Sequence, residues 1–144
     1  MSEPESEVRS LVEQLEALKN YVNELQSRLQ VALSELEEVR LARTTLTHIR
    51  ESKDRRMLVA LDRRGHALVY AELKDLNNVV LALGGDLYAK VPLDKAIEVL
   101  LERERELERI ASGIEGEIKK VTNLYNELAK KLQKQLSSSQ MQQR

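Results

Sequence analysis

Two stretches of this chain carry apolar residues on a strict three-four spacing, and very few folds accept such a pattern. In the first, residues 7–51, the stripe reads Val8, Leu11, Leu15, Leu18, Val22, Leu25, Leu29, Ala32, Leu36, Val39, Arg43 and Leu46, with Arg43 its only polar member. In the second, residues 92–136, it reads Leu93, Ile97, Leu100, Glu104, Leu107, Ala111, Ile114, Ile118, Val121, Tyr125, Leu128 and Leu132, with Glu104 its only polar member. A seven-residue apolar repeat sustained over several heptads demands a left-handed coiled coil rather than a merely amphipathic helix. No Pro or Gly interrupts the first stretch. At 1.5 Å per residue each helix would run roughly 70 Å. The two stretches are of nearly equal length, so they are expected to pair with each other, and the segment between them returns the chain to make that pairing antiparallel.

Local signals agree with the helical reading. Pro92 suits a first helical position and Asp94 the positive first turn. Gly113 and Gly116 weaken the second helix by roughly 1 kcal/mol each relative to Ala and mark a point of bending. Residues 1–6 and the Ser- and Gln-rich stretch 137–144 lack the periodicity and are expected to be disordered tails.

The segment 55–91 is different. Met57 to Leu61 is followed by a turn at Asp62-Arg63-Arg64-Gly65. A strand follows from His66 to Leu73, with Ala67, Val69, Ala71 and Leu73 on one face. After a second turn, Lys74 to Asn77, comes the apolar run Asn78 to Leu83, and Gly84-Gly85 gives a two-residue hairpin signal before the strand Asp86 to Val91. This reads as two β-hairpins between two helices. The fold class is therefore α+β: a long antiparallel two-helix coiled coil with two hairpins between the helices. An isolated hairpin is marginal in water. Asn78 to Leu83 is apolar on both faces, Val79, Leu81 and Leu83 against Val80 and Ala82, and such a strand expects cover on both sides. Its edges would also carry unpaired backbone groups. Strands of several chains are thus expected to join into a shared sheet or barrel, making the hairpins an oligomerisation platform.

Composition narrows the function classes. Charged residues make up 33% of the chain and aromatic residues 3%, with no Phe and no Trp. That argues against the aromatic-lined pocket of most small-molecule sites. Net charge is -1, so no global field favours nucleic acid or an anionic membrane. There is no Cys, which removes disulfides, thiolate ligands and cysteine nucleophiles. His48 and His66 offer no metal-ligand spacing, no Gly-rich phosphate loop opens a helix, and no paired carboxylates fall in a plausible pocket. Neither an enzyme nor a cofactor is expected. The acidic stretch Met1 to Glu7 does not read as a signal peptide, and no apolar run approaches the ~20 residues of a membrane span, so the cytoplasm is the expected location.

The order helix, two hairpins, helix resembles the alpha class of prefoldin subunits. The resemblance rests on Leu58-Val59-Ala60-Leu61, on Ala67-Leu68-Val69-Tyr70-Ala71-Glu72-Leu73, and on the run from Val79 through Gly84-Gly85 to Lys90. It continues into Asp94 to Glu98 and Leu101-Glu102-Arg103. It departs from the pattern at Pro92, where a capping residue is expected, and at the charged turn Asp62-Arg63-Arg64. The resemblance implies a hexamer of two alpha and four beta subunits, with a β-barrel platform from which six coiled coils hang. It implies a chaperone that holds unfolded proteins without ATP and passes them to a group II chaperonin. The strand residues Val69, Val79, Val80, Leu81, Leu83 and Leu87 are then the expected subunit contacts. Client contacts are expected at the free coiled-coil ends, at Val8, Leu11 and Val12 facing Leu128, Leu132 and Leu136. Each of these except Val12 and Leu136, which flank the stripe, also reads as an ordinary seam residue.

Three readings of polar features stay open. Arg43 and Glu104 fall within about a turn of each other in an antiparallel pairing; they either form a buried pair that fixes register or snorkel outward, and snorkelling is favoured. The run from Glu102 to Arg109 reads as a solvated face with i,i+4 pairs. The basic cluster Arg50, Lys53, Arg55, Arg56, Arg63 and Arg64 could touch nucleic acid, but is expected to form intersubunit ion pairs around the platform. The competing functions are a coiled-coil scaffold with one defined partner and a nucleic-acid-binding coil.

Overall fold

The structure is a computed structural model, and it describes residues 3–142. The element order is α1 (Glu3–Ser52), β1 (Arg56–Ala60), β2 (Leu68–Glu72), β3 (Asn78–Gly84), β4 (Leu87–Pro92) and α2 (Leu93–Gln142). The helices extend past their expected ends. The tails expected to be disordered are helical over residues 3–6 and 137–142; Met1, Ser2, Gln143 and Arg144 lie outside the described residues. Pro4 and the acidic Glu3 and Glu5 all suit a first turn, where a missing N–H and a negative charge are favourable. Ser137 to Gln142 contains no Gly or Pro, and adding residues to a formed helix is far easier than starting one. At the other end α1 stops at Lys53, which takes a left-handed backbone (φ 56°) and donates its N–H to the Ile49 carbonyl at 3.1 Å. This is the αL cap, here built on a non-glycine residue. Pro92 closes β4 rather than opening α2.

The chain forms two compact units, Met1–Ser34 with Glu108–Arg144, and Glu35–Leu107. In the first unit, partners run in opposite senses along the helices. Gln135 donates to Glu7 at 2.8 Å and the Tyr21 hydroxyl to Glu117 at 3.3 Å, so the pairing is antiparallel. Leu11, Leu25, Ala32, Ala111 and Val121 are buried between the helices. No stripe residue in this unit is exposed, as a seven-residue seam requires.

In the second unit the hairpins are two separate two-stranded antiparallel sheets. β1 and β2 pair with Leu58 opposite Tyr70 and Ala60 opposite Leu68. The connecting loop is organised by Asp62, whose carboxylate accepts from the backbone N–H groups of His66 at 2.8 Å and Arg64 at 3.2 Å, and lies 2.7 Å from His66 Nδ1. Those bonds, the His66 ring first, hold the Asp62 carboxyl below its ordinary range. Asp75 plays the same part before β3, accepting from the side chain and backbone of Asn78 and the backbone of Asn77. β3 and β4 pair with Val80 opposite Lys90 and Ala82 opposite Tyr88. The turn falls one residue later than the Gly-Gly pair indicated. Gly84 (φ 119°) ends β3 after a register irregularity, and Gly85 (φ 57°) and Asp86 make the loop. Positive φ at both positions explains why glycine stands there.

The second hairpin is seated on the helices. Leu81, Ala96 and Leu100 form a buried cluster, with Val79, Val91, Val39, Leu46 and Val99 packed around it. Arg103 donates to the Ala82 carbonyl, and the Leu93 N–H donates to the Asn77 carbonyl at 2.8 Å.

Candidate functional site

Alternation along each strand sorts the hairpin residues onto two faces. On the second hairpin, Val79, Leu81 and Val91 point at the helices, and Leu81 is only 6% exposed. Among the described residues the opposite face is left open. Val80 is 67% exposed, and Tyr88, next to Ala82 across the pair, is similarly open. Thus the strand that is apolar on both sides is covered by its own chain on one side alone. The first hairpin repeats the arrangement. Met57, Val59 and Ala71 are half-buried, while Leu58, Leu68 and Tyr70 are exposed side by side, Tyr70 at 91%. Leu83 and Leu87, flanking the tight turn, are also exposed. A row of large apolar side chains on strands that each keep one edge unpaired is the composition of a surface awaiting other strands.

The strand residues chosen from the sequence therefore divide. Val80, Leu83, Leu87 and Val69 are exposed, whereas Val79 and Leu81 face the chain's own helices. Sequence reasoning missed Leu58, Leu68, Tyr70 and Tyr88. The signal that finds them is strand register, because Leu58 and Tyr70 are unremarkable alone and form a patch only when paired.

At the helix ends, Leu11 is buried, Val8, Leu128 and Leu132 are half-buried, and Val12 and Leu136 are exposed at 47% and 48%. The Gln135–Glu7 hydrogen bond brings the two ends together. Val12 and Leu136 are thus open to contact, and Leu11 is occupied in the seam.

The polar seam residues do not snorkel. Glu104 is 3% exposed and turned inward. Arg43 donates to both its oxygens, with Nη2 at 3.1 Å from Oε1, and Arg40 Nε lies 3.2 Å from the same oxygen. Hydrogen bonding by Arg43, against the opposing effect of burial, holds the Glu104 carboxyl below the usual glutamate range and raises Arg43 further. The helices approach closely enough here that two guanidinium groups on successive turns reach one carboxylate, which outweighs the solvation that snorkelling would recover. Of the basic cluster, Arg50 pairs with Asp94 at 3.3 Å, Arg56 with Asp54 at 3.6 Å, and Arg55 donates to the Lys74 carbonyl at 3.4 Å. Three of the six cluster residues thus make side-chain contacts within their own chain. Among the described residues no group of His, Asp and Glu converges on a metal position, and no helix is long and apolar enough to cross a membrane.

Two seam-paired helices joined by strands with a bare apolar face define a subunit of a larger assembly. Residues 5–138 match the family model of the prefoldin subunit, and the chain belongs to the prefoldin family. It is 31% identical over 118 residues to prefoldin subunit alpha of Saccharolobus islandicus, covering 82% of this chain and 80% of that one. It is 28% identical over 136 residues to prefoldin subunit alpha of Sulfurisphaera tokodaii, covering 94% and 89%. The cryo-EM structure of filamentous PFD from Methanocaldococcus jannaschii shares the fold, with a TM-score of 0.53 at 18% identity over 90% of this chain and 98% of that one. The chain is a chaperone subunit of the kind that works in oligomers with other prefoldin subunits. The single-partner scaffold is not favoured by these relationships.

Proposed function

We propose that this chain is the alpha-type member of a prefoldin hexamer of two alpha and four beta subunits. It holds non-native proteins in the cytoplasm without ATP and passes them to a group II chaperonin. It does so as a binding protein and not as an enzyme. The observation that carries this reading is that each unit bares apolar side chains of its own. Leu58, Tyr70, Val80 and Tyr88 lie bare on the strands, and Val12 and Leu136 lie bare near the helix ends. The strand faces supply subunit contact. The helix ends supply client contact, with Val8, Leu128 and Leu132 becoming available as the last turns fray.

The physical logic favours weak capture. Burying a Val or a Leu contributes roughly 1.5–3 kcal/mol, so one tip binds a client poorly. Several tips on one platform raise the overall affinity through effective concentration while each contact stays easy to break. The test is suppression of aggregation of a chemically unfolded protein by the assembled complex. Val12→Ser with Leu136→Ser is expected to lower suppression several-fold at unchanged native mass. Full suppression by that double variant would remove the helix ends from the reading. Steep loss of capture with added salt would favour a charge-driven contact instead.

A further inference from the structure

We propose that Glu104, held between Arg40 and Arg43, is a register lock: it selects one antiparallel alignment of α1 and α2 and thereby fixes where the second hairpin is seated. The argument starts from the repeat. A coiled coil whose layers are all apolar looks nearly the same to itself after a slide of seven residues, so its alignment is weakly specified. The connection from Lys53 to Pro92 is long enough to tolerate such a slide. In this chain one polar residue interrupts each stripe, and the structure brings the two interruptions together. A slide of seven residues would set Arg43 against Ile97 or Ala111, and Glu104 against Leu36 or Arg50. A slide that places Glu104 against Leu36 leaves a carboxylate in an apolar layer, and either slide sets Arg43 against an apolar side chain. An unpaired buried charge is strongly unfavourable, whereas a shifted apolar layer is nearly neutral. Glu104 is also the one buried polar side chain among the described residues.

The lock sits beside the hairpin. Arg103, adjacent in sequence, donates to the Ala82 carbonyl on β3. One turn back, Leu100 and Ala96 pack on Leu81. Residues 96–104 therefore read α1 with one face and hold the second hairpin with another. Setting the helix alignment there sets the placement of Val80 and Tyr88, the side chains bare for assembly. Glu104 thus acts as a positioning residue, without itself contacting client or partner. The inference does not depend on client capture at the helix ends.

The absence of cysteine makes the test direct. Ser27→Cys and Ser137→Cys place two spin labels at exposed positions on the two helices, and the labelled chain is diluted into excess unlabelled chain so that only distances within a chain are read. With the native lock, electron–electron distance measurement is expected to give a single population. Arg43→Leu with Glu104→Leu turns both interruptions into ordinary apolar layers. It is expected to keep or raise the melting temperature while adding a population displaced by about 10 Å, the length of seven helical residues. Glu104→Gln still disfavours apolar neighbours, and is expected to melt lower yet retain the single distance. A single native distance in the double leucine variant would overturn the proposal, because alignment would then be set elsewhere. Loss of helix in that variant would also overturn it, since the pair would be a source of stability instead of a selector.

Discussion

The unit built from the two ends of the chain and the unit that carries the hairpins use the same seven-residue repeat and bury different things with it. In the end unit the interior is a line of Leu, Val and Ala, with small Ala32 and Ala111 among the buried residues. In the hairpin unit a third layer is added. Leu81 comes down on Ala96 and Leu100, and a charged cluster at Glu104 takes the place of an apolar layer. A seam shared by two helices alone can relax when a side chain is removed. A seam capped by a strand cannot, because three elements would have to move together. On the proposed reading, alignment and assembly belong to the hairpin unit and client contact to the ends of the other.

That contrast can be broken or sharpened by substitution, beginning with the largest effect. Leu100→Ala should cost about 3 kcal/mol, since the cavity lies between a helix pair and a strand, while Leu25→Ala in the end unit should cost about 2 kcal/mol; chemical denaturation of both variants measures the gap, and equal values would erase the distinction. Glu104→Ala should follow at about 2–3 kcal/mol. That is below the cost for a fully buried pair, because Arg40 and Arg43 both retain access to water once the carboxylate is gone.

Gly113→Ala and Gly116→Ala act in the opposite direction. A Cβ at either glycine meets nothing within 4 Å, so each should stabilise the end unit by up to about 1 kcal/mol, read as a higher melting temperature and slower amide exchange in that turn. No change would mean that neighbours already hold that turn rigid.

Acid should act mainly on the hairpin unit. The folded-state pKa of Glu104 is depressed, so its contribution is complete above the ordinary glutamate value near 4.3 and fades as the pH falls through the lower folded value. Asp62 and Asp75 shift the same way through their turn hydrogen bonds. Melting followed from pH 7 to pH 3 should show a steeper decline for the native chain than for Glu104→Gln. Parallel curves would show that Glu104 is not a source of the acid sensitivity. The smallest effect belongs to Val31→Ser, an isolated exposed side chain on the outside of α1, which should lie within about 0.5 kcal/mol of the native protein.

Much of this is legible in the sequence. The three-four spacing of Val8 to Leu46 and Leu93 to Leu132 gave both helices and their pairing, because a heptad seam is a local pattern that reports a tertiary fact. The hairpins followed from turn residues and alternation. What escaped depended on contacts between distant residues. Leu58 and Tyr70 are an apolar patch only through their cross-strand register. Leu81 looks like an assembly residue until Ala96 and Leu100 are seen against it. The inward turn of Glu104 needed Arg43, which spacing placed nearby without saying which way it faced, and Arg40, which the spacing did not single out. The helical ends at 3–6 and 137–142 escaped for a different reason: weak helix formers continue a helix they could not have begun.

The most direct test of the division between assembling strands and capturing ends is the native mass of the complex formed in the source cell's extract by Val80→Asp with Tyr88→Asp, compared with Val12→Ser with Leu136→Ser. The account predicts that the charged strand faces release a free, still helical chain, while the altered helix ends leave the mass of the assembly unchanged. An intact assembly with aspartates on the strands, or one lost through the helix ends, would contradict it.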